Sequence, residues 1–327
     1  MRETGVMARL LRRLRAHVPQ RSRPVILMYH RIAEETFDPW GLCVSPANFA
    51  RQIDWIQRGR RILPLREFVE RHQSRALPDD AIAITFDDGY ACTATAAAPI
   101  LQVRDIPATV FIAPALLNGG LEFWWDDLQR IVLSPGVASL AVDAEQFELG
   151  DRTAADDVWL PSRQPSTSRQ RVFQHLWTIL KRMQPDHLER TIDSLRQQAG
   201  VAAKPRETHR PMDAGEIQGL DQSVISFGSH SLLHASLPSL PPNVMETHIR
   251  ESVEQCRAII GHKPHALAYP FGDHDADCQR MVKEAGFACA CTTEQAATTD
   301  HSNPFALPRL HVGNWSPAQL ERALRIL

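Results

Sequence analysis

A chain of 327 residues, 43% hydrophobic and 23% charged, has the composition of an ordinary globular protein, which excludes extensive disorder, collagen and coiled coil. Its 36 Lys and Arg nearly balance 38 Asp and Glu, and the formal net charge of −2 gives no electrostatic footprint for nucleic acid. The longest apolar runs, such as Val25–Met28 and Ala81–Ile84, are strand-sized and far from the roughly 20 residues of a membrane span.

In chain order, Met1–Pro19 sets Arg2, Arg9, Arg12, Arg13 and Arg15 among Met7, Leu10, Leu11, Leu14 and Val18. Arginines interrupt every apolar core that a signal peptide would need. Residues 1–23 are therefore read as a basic helical extension outside the domain. The alternative reading is an amphipathic helix in peripheral contact with an anionic inner-membrane surface. Either reading leaves the chain in the cytoplasm. The six cysteines form no CxxC pair and are read as reduced core thiols.

Val25–Tyr29 is expected as a buried strand. Ser45-Pro46 opens a helix, with Ser45 as N-cap and an apolar face of Phe49, Ile53 and Ile56. Further strands are predicted at Ile82–Phe86, Thr109–Ile112, Val224–Phe227, Ala266–Tyr269 and Phe287–Cys291. Helices are predicted at Ala91–Val103, bent by Pro99, at Val244–Ile260, at Ala276–Ala285 and from Ser316 onward. This alternation predicts an α/β parallel sheet or barrel over residues 24–327. Residues 120–211 break the rhythm and read as an insertion, with a hairpin at Ala138–Asp151 and helices within Ser168–Gln198. The insertion is either a packing elaboration or a cover over a substrate groove.

Three motifs carry chemistry. Thr85-Phe86-Asp87-Asp88-Gly89 puts two carboxylates at the C-terminal end of a strand, where barrel enzymes keep catalytic groups; a simple turn is the rival reading. His230-Ser231-Leu232-Leu233-His234 spaces two histidines four apart, which on a helical turn faces both toward one metal ion. With one carboxylate they make a ligand set that suits zinc and leaves a position open. Tyr269-Pro270-Phe271-Gly272 forms an aromatic turn that offers a flat wall for a sugar ring, or simply anchors a loop.

Taken together, TFDDG, HSLLH and YPFG resemble the polysaccharide deacetylases with a NodB-homology domain, carbohydrate esterase family 4, over roughly residues 24–315. The resemblance implies a distorted parallel (β/α) barrel with fewer than eight regular strands. It implies Asp87 as general base, and Asp88, His230 and His234 as ligands of a divalent metal, usually Zn2+ but sometimes Co2+ or Ni2+. The chain departs from the family in two places. Ala268 stands where an arginine usually orients the base, and Arg309 is the candidate to reach in from a neighbouring strand. The family's last motif is matched near the N-terminus by Leu27-Met28-Tyr29-His30, as in the circularly permuted subgroup of biofilm poly-N-acetylglucosamine deacetylases. His30 would then be the general acid, with His311 as competitor, and Leu27 would line the acetyl pocket. Trp124 or Trp125 would wall that pocket, and the Tyr90 N–H would stabilise an oxyanion. His262, His265 and His274 are expected at the surface or as support. The implied activity is metal-dependent removal of N-acetyl groups from an acetamido-sugar glycan or glycan precursor. O-acetyl ester hydrolysis, a non-sugar amidohydrolase and a non-catalytic glycan-binding protein are the alternatives.

Overall fold

The computed structural model describes residues 22–117, 120–133 and 135–327, so the expected basic helix at the N-terminus lies outside the described residues. The first half of the chain runs β1 (Val25–Tyr29), β2 (Arg31–Ile32), β3 (Cys43–Val44), α1 (Pro46–Gly59), β4 (Arg61–Ile62), α2 (Leu65–Gln73), β5 (Ala81–Phe86), α3 (Ala98–Gln102) and β6 (Ala108–Ile112). The insertion contributes α4 (Trp124–Val132), β7 (Ser139–Val142), β8 (Glu145–Glu148), α5 (Ser168–Leu180) and α6 (Pro185–Ala199). The rest is α7 (Ala214–Gly219), β9 (Ile225–Ser229), α8 (Pro242–Ile260), β10 (Ala266–Ala268), α9 (Ala276–Glu284), β11 (Cys289–Cys291), β12 (Leu310–His311) and α10 (Pro317–Ile326). Pro99 does divide the expected helix: a π-helical turn over Thr93–Ala97 precedes α3.

The main sheet has the order β11-β10-β9-β6-β5-β1-β12, every pair parallel, with β4 also on β5. The segment entering β12 closes it: Leu307 bridges Cys291 in parallel, while Leu310 pairs with Leu27. The result is a distorted parallel (β/α) barrel, as expected.

Strand alternation sorts the side chains. Ile26, Ala83, Phe111, Ala268, Cys291 and Leu307 share one cluster, and only the barrel interior can join strands so far apart in the sheet. Leu65, Phe68 and Val69 of α2 belong to it and plug the N-terminal end. Val25, Leu27, Tyr29, Ile84 and Phe86 face outward onto Phe49, Ile53 and Ile56 of α1. Ser45 caps α1 by accepting from Asn48 N, and Pro46 occupies its first turn.

The insertion has its own core. Leu128, Leu140, Phe147, Phe173, Leu176 and Ile192 join α4, α5, α6 and the antiparallel β7–β8 hairpin. The buried Arg169 donates to the carbonyls of Val137 (2.7 Å) and Gly150 (2.8 Å), tying helix to hairpin. All six cysteines are buried and free. No helix among the described residues is long and apolar enough to cross a membrane.

Candidate active site

The parallel strands all end at one mouth, and the motif residues gather there. Asp87 continues the inward parity of Thr85 at the end of β5. Arg309, just before β12, clamps it with two parallel bonds, Nη1 to Oδ1 at 2.7 Å and Nη2 to Oδ2 at 2.6 Å. The guanidinium is fully buried, anchored by Thr85 Oγ1 (3.1 Å) and the Thr292 carbonyl (2.9 Å), and lies over the Phe111 ring. Gly228 makes room for that ring, since a Cβ there would meet Phe111 at 2.5 Å.

Asp88 and Gly89 both take positive φ, 71° and 77°, a left-handed pair that Asp tolerates better than most residues. Past this bend the Asp88 Oδ1 stands 3.3 Å from His230 Nε2 and 3.2 Å from His234 Nε2. The histidine pair is not on a helix, as the spacing had suggested. It spans a turn after β9 in which Ser231 and His234 themselves have positive φ. His230 Nδ1 donates to the Ala268 carbonyl at 2.8 Å, which aims Nε2 at Asp88 and fixes it as the atom that would face a cation.

Burial works to raise both carboxyls. At Asp87 the charge of Arg309, helped by those of His230 and His30, outweighs it; at Asp88 the hydrogen bonds from His230 and His234 do so. Asp87 is held below the ordinary carboxylate range and Asp88 well below it. Two adjacent carboxylates, 2% and 3% exposed, are thus ionised in a buried pit.

The donor set fits a divalent cation. Ligands of one tetrahedral ion at about 2.0–2.1 Å stand about 3.3 Å from one another. The two Asp88–histidine separations match this, and the three donors lie within 4.8 Å of one another.

His30 and His311 leave neighbouring strands at the mouth, rings 5.4 Å apart. Burial, with the charge of His30, pushes His311 down to about 4, so its imidazole is neutral at neutral pH. Trp125 and Phe271 both lie against the His234 ring, at 4.4 Å and 4.6 Å, and against each other at 6.1 Å. Tyr90 is fully buried, its hydroxyl donating to Asp126 (2.7 Å) and accepting from Trp125 Nε1 (2.8 Å). In the antiparallel bridge of Tyr90 with Pro211, the bonds run Ala91 N to Arg210 O and Met212 N to Gly89 O. The Tyr90 N–H therefore points away from that segment.

Three expected substrate contacts are corrected. Leu27 faces α1 rather than the site, because residues three apart around a strand lie on opposite faces and His30 points into the mouth. Tyr269 faces α8 and α9, its hydroxyl donating to the Phe305 carbonyl (3.0 Å). Gly272 is a packing position, with Thr293 Oγ1 occupying the space a Cβ would need. Pro270 is buried in the turn, which leaves Phe271 as the motif's contact with the site. His262 is exposed, and His274 stacks on Tyr269.

Two supporting residues were missed. Arg31, 2% exposed, lies 5.4 Å from the Tyr90 ring centroid. Asp126 is buried and pushed up to about 7, against the opposing charge of Arg31 and the bond from Tyr90. The acid pair beside Trp124 and Trp125 was the available signal.

Comparison with known proteins bears on the family and the fold. A family model described as polysaccharide deacetylase matches residues 74–204 and 199–290. The poly-beta-1,6-N-acetyl-D-glucosamine N-deacetylase of Escherichia coli (strain K12) is 30% identical over 309 residues, 93% of this chain and 38% of the relative. The chain thus spans about two fifths of the length of the curated relatives it matches. Among solved structures, IcaB from Ammonifex degensii superposes with a TM-score of 0.60 at 16% identity, covering 93% of this chain and 97% of that one. The Streptococcus pyogenes deacetylase PplD in complex with acetate gives 0.59 at 16% identity, covering 93% and 99%. At such identities the structural likeness is one of fold.

Proposed function

The chain belongs to the polysaccharide deacetylase family, and from that premise we propose that it is a metal-dependent hydrolase removing N-acetyl groups from an acetamido-sugar glycan. The observation that carries the reading is the split between adjacent carboxylates. Asp87 is held by a buried guanidinium and Asp88 by two histidines, so one serves as base and the other as ligand.

Asp88, His230 and His234 would hold the cation, for which zinc is the first choice with this ligand set. When bound, it supplies Lewis-acid polarisation of the acyl carbonyl. Arg309 keeps Asp87 ionised and fixes its direction, so that it takes the proton of the attacking water. The Tyr90 N–H is the candidate donor to the developing oxyanion. His30 donates a proton to the leaving amine, which spares the expulsion of an amide anion. Burial lowers the pKa of His311, which favours His30 over it as the acid. Trp125 and Phe271 exclude water around His234. The non-catalytic reading rested on Ala268, and it loses its ground because Arg309 supplies the missing guanidinium.

The test is acetate release from N-acetylglucosamine oligomers by protein stripped of metal and reloaded with zinc. Release is expected only after reloading. Asp87→Asn should keep its zinc and lose about 10²–10⁴ in kcat. Asp88→Ala should lose zinc and turnover together. An active Asp87→Asn protein would remove Asp87 as the base.

A further inference from the structure

The two histidines at the mouth are not held alike. His230 fixes its ring by donating from Nδ1 to the Ala268 carbonyl at 2.8 Å. His234 Nδ1 is buried and meets no hydrogen-bond partner among the described residues. An imidazole that serves a metal ion normally has its second nitrogen tied to a carbonyl, a carboxylate or water, because that bond sets the direction of the first. We propose that Tyr90 and Asp126 are positioning residues for His234, acting through the indole of Trp125, which aims the imidazole where a hydrogen bond would otherwise do so. The proposal rests on the metal reading of the site and extends it to what keeps the ligand set in place.

The contacts run outward from His234. Its Nε2 stands 3.2 Å from Asp88 Oδ1, and its ring packs on Trp125 at 4.4 Å and on Phe271 at 4.6 Å. A phenyl ring has no polar handle, whereas an indole has one. Trp125 Nε1 can only donate, and its bond goes to the Tyr90 hydroxyl at 2.8 Å. That hydroxyl has a single proton of its own, which goes to Asp126 Oδ2 at 2.7 Å. Trp125 and Asp126 are neighbours in the first turn of α4, so one turn of helix holds the phenol by both its acceptor and its donor. Phe123 stacks on the indole, 4.8 Å away with the planes 2° apart. Tyr90, Trp125 and Asp126 are all buried, so bulk water does not compete for these bonds. Tyr90 also follows Asp88 by two residues, so the same phenol ties the insertion to the loop that carries the carboxylate ligand. Apolar side chains would fill this space at less cost, since burial disfavours the Asp126 carboxylate and pushes it up to about 7. What two directed bonds add is a single orientation of the indole.

The experiment measures zinc dissociation constants, by competition with a chromophoric chelator, for wild type, Tyr90→Phe, Asp126→Ala, Asp126→Asn and Asp88→Ala, with Val69→Ala as control. Val69 is buried in the plug at the opposite end of the barrel, so its truncation lowers stability without touching the site. Tyr90→Phe removes both bonds and keeps the ring, and should weaken zinc about 10–100-fold. Asp126→Ala should approach that loss. Asp126→Asn, whose amide oxygen still accepts from the phenol, should recover most of the affinity. In cobalt-loaded protein the visible ligand-field bands should shift in Tyr90→Phe and stay in place in Asp126→Asn and Val69→Ala. Wild-type affinity and wild-type bands in Tyr90→Phe overturn the proposal, as does a Val69→Ala protein that loses as much affinity as Tyr90→Phe. The metal reading survives those results as long as zinc binds wild type and is lost in Asp88→Ala. Zinc that fails to bind wild type, or binds Asp88→Ala equally well, overturns both.

Discussion

At the scale of single residues, the site depends on one buried ion pair. Breaking such a pair from one side leaves an uncompensated charge and costs about 3–5 kcal/mol. Arg309→Met should therefore lower stability by that order, read by denaturant unfolding. Its kinetic mark is more specific. Without the guanidinium, burial is the largest influence on Asp87 and raises its pKa, so the base is protonated at higher pH. The acid limb of the kcat/KM profile should move upward in pH. Arg309→Lys should recover the charge but not the two parallel bonds, and so fall between the two. Asp126 carries the opposite sign. Its folded pKa lies near 7 and that of an unfolded carboxyl near about 4. Its contribution to stability is complete below the unfolded value and is lost as pH rises through about 7. Asp126→Asn, neutral at every pH, should flatten the decline in Tm between about pH 4 and 7; an equally steep decline would clear Asp126 of it.

At the scale of elements, the insertion is a separate packing unit laid on the barrel mouth. Leu176 is fully buried in its cluster with Phe173 and Leu180, and Leu176→Ala should cost about 2–5 kcal/mol. Because that cluster is distinct from the barrel interior, the loss should appear first as faster hydrogen exchange in α4, α5 and α6. Strands β1 and β5 should keep their protection. Uniform acceleration would show that the insertion and barrel unfold as one. Lys181, the C-cap residue of α5, pairs with Asp273 at 2.8 Å and lies over Phe271, which holds the insertion across the site. The elements themselves were largely legible. Ser45-Pro46, Ser316-Pro317 and Pro185 mark helix starts by local chemistry, and short apolar runs mark the strands. The HSLLH turn was not. Periodicity of four suggests a helix, but the turn that brings both rings to Asp88 is built from left-handed residues that spacing alone does not reveal.

At the scale of the whole molecule, the residues proposed to hold a cation come from loops after β5 and β9, strands separated in the sheet by β6. A cation that binds the folded chain and not the unfolded one adds RT ln(1 + [L]/Kd), about 4 kcal/mol at a thousandfold excess over Kd. Chelation should lower Tm and zinc restore it, and Asp88→Ala should remove the zinc response. An Asp88→Ala protein that still gains stability from zinc would place the cation elsewhere.

The sequence by itself determined the strand–helix alternation, the insertion and the identity of the acid and histidine motifs. Each of these is written in neighbouring residues, where period, caps and turns act. What it left open was decided by closure of the barrel. Arg309 meets Asp87 across 222 residues of chain because the segment entering β12 completes the ring beside β1. The same closure sets His311 beside His30. It also fixes which face of each strand is inside, which is why Leu27 and Tyr269 turn out to pack helices while Asp87 and Phe271 face the mouth. A motif names the residue; only the register of the closed sheet gives its side chain a direction.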